Sequence, residues 1–276
     1  MSTKEGELNG ELQPTFETVH VEASGSIGYL TLSRPEKLNP LSTRTLRELA
    51  GAVRWFDDLR SVKVVIVSGS GRAFCAGADL SGFGDPASND GLEPRDAAET
   101  GWLMARAFEQ MRAVTIAAIW GPCVGGGLVL AAVCDFRLAA EDTYFSIPEV
   151  DLGIPLAWGG IPRLVRELGP AMTRELVMTG RPFSAGEAKT LGFLNRVLAA
   201  DEVMQEAERL AHHLAEKSAH ALHATKRHIN AAMEAMVPSG SSWADADGLV
   251  AAMADPESRA SAARYLEQIR RPAEPR

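Results

Sequence analysis

Apolar residues recur along the chain in two rhythms, and their alternation predicts the architecture. Over residues 18–32, apolar and β-branched positions flank the turn dipeptide Ser24-Gly25, which predicts two short strands. Ser42 then reads as a helix N-cap, with Leu46, Leu49, Val53 and Phe56 following at helical spacing. The run VKVVIV, Val62 to Val67, is apolar and β-rich and is closed by Ser68-Gly69-Ser70-Gly71, the pattern of a buried strand that feeds a loop. A polar stretch, DPASNDGLEPRDA, separates that loop from a helical pattern over Ala97 to Met111 and is the segment expected to be most mobile. TIAAIW is a second buried-strand pattern, broken by Gly121-Pro122. Gly125-Gly126-Gly127 opens LVLAAVC, which is apolar on every side and so predicts a core helix. FRLAA and TYFSI read as further short strands, IPEVDLGIP as a turn, and helical patterns dominate from Trp158 onward.

Strand and helix alternate up to about residue 200, which argues an α/β fold, whereas residues 201–276 read as almost all helix. Two regions are expected on that change of texture, 1–200 and 201–276. With 276 residues, 46% hydrophobic and 23% charged, the composition is that of an ordinary folded chain rather than a disordered or coiled-coil one. The net charge of −8 has the wrong sign for a nucleic-acid partner. No apolar run approaches the roughly 18 residues of a membrane span. The polar, acidic N-terminus has neither the apolar core of a secretory signal nor an Arg-rich transit pattern, so a cytoplasmic address is expected. Cys75, Cys123 and Cys134 show no C-x-x-C spacing and read as structural thiols of a reducing compartment.

Two glycine-rich turns each follow a buried strand: Ala76-Gly77-Ala78-Asp79, and Gly125-Gly126-Gly127. Bare backbone of this kind lets amide N–H groups approach a ligand closely, and two facing N–H groups make an oxyanion hole. Neither turn is a nucleotide motif: there is no G-K-[ST] ending and no G-x-G-x-x-G with a later acidic residue. The six histidines lie outside these segments, His220-x-x-His223 lacks the partners of a zinc site, and no G-x-S-x-G nucleophile elbow occurs.

The segments RAFCAGADLSG, IAAIWGPCVGGGLVLAAVCDFRLAAEDTYFSIPEVDLGI and RPFSAGEAKTLGFLNRVL, in this order, resemble the crotonase superfamily, the enoyl-CoA hydratase/isomerase family. The resemblance extends from about residue 16 to the C-terminus. It implies a spiral core of ββα turns and an all-helical C-terminal region that builds homotrimers, often paired into hexamers. It further implies an acyl-CoA thioester as substrate, no cofactor beyond the CoA the substrate carries, and an oxyanion hole made by the N–H groups of Ala78 and Gly126. Lys37, Leu38, Ala76, Asp79 and Leu80 correspond to positions that lie along the CoA in relatives. Lys226, Arg270 and Arg271 sit where relatives sometimes lend basic groups to CoA phosphates, although solvated surface positions are the simpler reading of each. Trp158 and Phe83 are candidates for the acyl pocket, with core packing as the simpler reading.

Hydratases of this family flank the substrate with two glutamates. Here the second is Glu149, while the first position holds Val129, which can neither orient nor deprotonate water. Dienoyl-CoA isomerases carry aspartates at the Val129 position and eight residues after the glutamate, where this chain has Ala157, and dehalogenases place their nucleophile near the same alanine. Asp151 is the other nearby acid and reads as a structural cap. A lone glutamate suffices for a 1,3 proton shift, so the expectation is a Δ3,Δ2-enoyl-CoA isomerase acting through Glu149, in a site where burial raises the carboxyl pKa. The alternatives are a hydratase that manages with Glu149 and a backbone-held water, and a catalytically silent acyl-CoA-binding protein.

Overall fold

A computed structural model describes residues 13–82 and 86–270. Nine strands are present among them: β1 Val19–Ser24, β2 Ile27–Leu32, β3 Val64–Gly69, β4 Val114–Ile119, β5 Pro122–Val124, β6 Phe136–Ala140, β7 Tyr144–Ser146, β8 Phe183–Ser184 and β9 Arg196–Leu198. The helices among them are α1 Thr43–Asp58, α2 Pro94–Gln110, α3 Gly126–Ala132, α4 Gly160–Thr179, α5 Ala185–Thr190, α6 Val203–Ala215, α7 Ala219–Met236, α8 Asp245–Ala254 and α9 Pro256–Arg270. The main sheet runs β1-β2-β3-β4-β6-β9, parallel apart from the β1–β2 hairpin. A smaller sheet, β5-β7-β8, stands beside it and carries the turns that form the site.

The period of two along the strands sorts each residue to one face of the main sheet. Val65 and Val67 of β3 and Ala117 and Ile119 of β4 point into the larger core, with Leu49 and Phe56 of α1 and Met104 and Phe108 of α2. Val64 and Ile66, with Ile116, Ala118 and Leu138, face the other way and are covered by Val203, Ala207, Leu210 and Ala211, one stripe of α6. Burial on both faces explains why β3 and β4 read as unbroken apolar runs. All residues after 200 that belong to elements are helical, yet α6 closes the back of the sheet and α8 packs on α2. None of the helices among the described residues is long and apolar enough to cross a membrane.

Several boundaries differ from the sequence reading. β3 starts two residues later than expected and takes in Ser68 and Gly69, which looked like turn residues. Ser68 is buried and its hydroxyl meets that of Thr31 at 3.3 Å. A Cβ on Gly69 would lie 2.2 Å from the carbonyl oxygen of Phe74, so this glycine marks a close backbone approach rather than a turn. Gly121-Pro122 does not simply end a strand: the chain steps from β4 into β5 there. Helix α2 begins at Pro94, a residue suited to the first helical position, three residues before the periodic pattern starts. The polar stretch before it is tied to α1, because Asp90 accepts from Arg44 at 2.9 Å and Arg47 at 2.6 Å. The Ser42 cap is as expected, with the Thr45 N–H donating to its hydroxyl at 3.2 Å. Phe83, Arg271 and the side chain of Arg270 lie outside the described residues.

Lys226 corrects the surface reading. It is 6% exposed on α7, and its ammonium donates to the Ala113 carbonyl at 2.9 Å and pairs with Asp135 at 2.7 Å. The periodicity of α7 gave no warning, since Lys226 is its only buried residue. Removing the cation leaves Asp135 short of its counter-charge in a largely dry contact, so Lys226→Met is expected to lower unfolding free energy by about 3 kcal/mol in urea denaturation.

Candidate active site

The two glycine turns meet backbone to backbone. A Cβ on Gly77 would lie 2.9 Å from the carbonyl oxygen of Val124, and one on Gly127 would lie 2.7 Å from the Cβ of Cys75. Only bare backbone allows so close an approach. The single-residue bridge Cys75–Cys123 joins the strands leading into the turns, and burial pushes the Cys75 thiol up to about 12, which keeps it protonated and structural.

Four amides of this contact have partners. Ala76 N–H donates to Leu38 O at 2.9 Å, Gly77 N–H to Cys75 Sγ at 3.4 Å, and Asp79 N–H to Leu41 O at 3.0 Å. Gly125 N–H donates to Ser146 O at 2.9 Å. The N–H groups of Ala78 and of Gly126 and Gly127, the first two residues of α3, have no hydrogen-bond partner among the described residues, and Gly127 does not line the cavity. Ala78 and Gly126 line one cavity of about 480 Å³. Glu149 lines the same cavity.

Glu149 arrives on a short 3₁₀ turn, Pro148–Val150, directly after β7. Its carboxylate lies against Gly125, where a Cβ would be 2.5 Å from Oε1, and Gly125 itself holds φ 51°, ψ −118°, a conformation for glycine alone. Glu149 is 9% exposed, and Oε2 is buried with no hydrogen-bond partner. Burial raises its pKa from the ordinary value to about 7. Its field reaches α9, where the Tyr265 hydroxyl is pushed up first by burial and then by Glu149 and Asp151.

Asp79 also lines the cavity but is engaged: it pairs with Arg34 at 2.7 Å and accepts from the Ser81 hydroxyl at 2.6 Å. Burial alone would raise its pKa, yet Ser81 and Arg34 together hold it below the usual range. Val129 is buried and absent from the cavity wall, with a methyl packed against Gly160. Asp151 is exposed; its backbone N–H closes the 3₁₀ turn on the Pro148 carbonyl, but its carboxylate makes no hydrogen bond among the described residues and so does not cap the next element as the sequence reading expected; the carboxylate rests near Gly180. Among the described residues no group of three His, Cys, Asp or Glu could hold a metal ion.

The structure therefore gathers Ala78, Asp79, Gly126, Glu149 and Trp158 around one cavity. Lys37, Leu38, Ala76 and Leu80 do not line it, but they belong to the two loops stitched together at Leu38–Ala76 and Leu41–Asp79. Lys37 is exposed there. Sequence reasoning missed Leu249, Val250, Met253 and Ala254 of α8, which supply an apolar wall. The available signal was the nearly uncharged run GLVAAMA, too apolar for a solvated helix.

A model of the enoyl-CoA hydratase/isomerase family matches residues 22–274. The chain belongs to this family. Hydratase names predominate among its relatives. A probable enoyl-CoA hydratase of Mycobacterium bovis is 36% identical over 82% of this chain and 86% of its own. A peroxisomal Delta(3,5)-Delta(2,4)-dienoyl-CoA isomerase of Arabidopsis thaliana is 34% identical over 83% of this chain and 86% of its own. Among solved structures, an enoyl-CoA hydratase/isomerase from Mycobacterium paratuberculosis superposes with a TM-score of 0.83 at 27% identity, covering 90% of this chain and 99% of that one. The crotonase-type α/β core is thus shared across the family, and acyl-CoA chemistry is consistent with it.

A family member that buries this glutamate does so at a cost to stability that depends on pH. Between pH 4.5 and about 7 the folded protein keeps a proton on Glu149 that the unfolded chain has released, so stability falls as pH rises through that window and levels above it. Glu149→Gln removes the penalty. At pH 8 this variant is expected to exceed the wild type by about 3 kcal/mol, and at pH 5 by little, in urea unfolding at the two pH values.

Proposed function

We propose that this protein is a one-base Δ3,Δ2-enoyl-CoA isomerase. The observation that carries the reading is Glu149: a dry, unpaired carboxylate beside two unpartnered amides, with no second free acid among the described residues of the cavity wall. The thioester oxygen of a 3-enoyl-CoA accepts from the N–H groups of Ala78 and Gly126. Glu149 removes a proton from C2, the electron pair delocalises over the thioester and the double bond, and the dienolate oxygen is held by the two amides. The same carboxyl returns the proton to C4, giving the conjugated 2-enoyl-CoA. Each amide donor in such a hole is worth roughly 3 kcal/mol of barrier. No cofactor is needed beyond the CoA of the substrate.

A pKa near 7 suits this task, because the group is ionised enough to accept a proton and acidic enough to give it back. The second reading is hydration, favoured by the names of most relatives; against it stands Val129, buried and turned from the cavity. Assembly as a trimer through the helical region 201–276 is part of the proposal, supported by Ile229 and Met236 of α7, which are 53% and 80% exposed. Sedimentation at micromolar protein is expected to give three copies or a multiple of three.

With 3-hexenoyl-CoA the wild type is expected to generate the absorbance of the conjugated product, with kcat/KM falling below about pH 7 as Glu149 is protonated. Glu149→Gln is expected to lose more than about a thousandfold in kcat while still binding CoA esters in calorimetry. Loss of conjugated absorbance from crotonyl-CoA would show hydration instead, and acyl-CoA binding without turnover of any enoyl isomer would show a capture protein.

A further inference from the structure

Trp158 is held in a conformation that the chain goes to some length to enforce. Its backbone is left-handed at φ 61°, followed by Gly159 at φ 68°. Such a bulky residue adopts this region only where its surroundings impose it, and strain of this kind points to function. Arg163, 2% exposed, donates through Nη1 to the carbonyls of Trp158 at 3.1 Å and Gly159 at 2.9 Å. Glu109 fixes that guanidinium from α2, accepting from Nε at 3.0 Å and Nη2 at 2.5 Å. From α8, Asp245 accepts the Gly159 N–H at 2.8 Å. Three helices thus clamp one turn.

The clamp delivers an indole to a defined place. A Cβ on Gly101, in the middle of α2, would lie 2.1 Å from Cδ2 of Trp158, and a Cβ on Gly126 would lie 2.2 Å from Cζ3. The ring is therefore wedged between α2 and Gly126, one of the two cavity residues with a free amide, and it forms part of the cavity wall. Glycine inside a helix is unfavourable unless something requires it, and here the ring does.

We propose that Trp158 sets acyl selectivity at the first carbons of the chain, admitting straight acyl groups and rejecting those branched near the thioester. Its position beside Gly126 places the flat ring against the acyl carbons next to the carbonyl rather than against the distal tail. Arg163, Asp245 and Glu109 are positioning residues for it. This rests on the acyl-CoA reading of the cavity but not on isomerisation.

The test uses two isomeric C6 pairs: hexanoyl-CoA against 2-methylpentanoyl-CoA for binding by calorimetry, and 3-hexenoyl-CoA against 2-methyl-3-pentenoyl-CoA, which keeps one proton on C2, for turnover. Trp158→Phe and Trp158→Ala are expected to raise the branched-to-straight ratio of affinities by about tenfold or more, and likewise the ratio of kcat/KM values. Gly101→Ala, which improves helix propensity and touches the cavity only through the indole, is expected to lower the ratio, and Trp158→Phe added to it to restore the ratio. Should Trp158→Ala not fold, the other two variants decide. A ratio unchanged within twofold in folded Trp158→Phe overturns the proposal. A changed binding ratio without turnover upholds it and removes the isomerase reading, whereas failure of the wild type to bind any of these esters removes both.

Discussion

A carboxyl group denied water and given no hydrogen-bond donor for one of its oxygens is an unfavourable thing to build into a protein, and much of this site exists to keep Glu149 in that condition. The short 3₁₀ turn after β7 carries it inward, Gly125 makes room for it, and the apolar residues of the 154–158 segment and of α8 line the rest of the space. Its pKa is moved by burial rather than by a neighbouring like charge; the charge of Asp79, the other acid of the wall, is balanced by Arg34, and Ser81 donates a hydrogen bond to it. Burial also makes the two free amides matter more, because a partial charge acts more strongly where solvent is excluded.

How much of this was legible in the sequence depends on the range of the interaction. The hairpin around Ser24-Gly25, the Ser42 cap and the all-apolar α3 are encoded in contiguous residues, and all form as the pattern predicts. The pair of glycine turns was visible as well, because bare backbone has a signature in composition. Ser68-Gly69 misled because a turn dipeptide and a close-packed strand end look alike until the partner, here the Phe74 carbonyl, is known. Lys226 misled for the same reason: its partners, Ala113 and Asp135, just ahead of β4 and β6, lie more than ninety residues away in sequence. The α8 wall and the Arg163 clamp are long-range too, and neither has a local motif.

The clamp and the glutamate share a logic. Both hold a residue in a state it would leave if unconstrained, one a strained backbone and the other an ionisable group kept dry, and both are over-determined by residues from separate elements. Stability given up at such places is typical of sites that act on a ligand, which distinguishes this cavity from a chance gap between helices.

The missing acid at position 129 then has a physical reading beyond simple loss. A carboxylate there would stand a few residues from Gly126 and near Gly160, where the buried Val129 now places a methyl. Two carboxylates around one thioester repel each other's ionised form and invite a water between them, and that water is what hydration consumes. With valine in its place the described residues of the cavity wall keep Glu149 as the one acid without an ion-pair partner, and an indole beside the Gly126 amide, where the proposed function seats the carbonyl. On the proposed reading, a proton taken from carbon in such surroundings has one place to wait and only carbon to return to, which is why the reading is transfer along the acyl chain rather than addition of water to it.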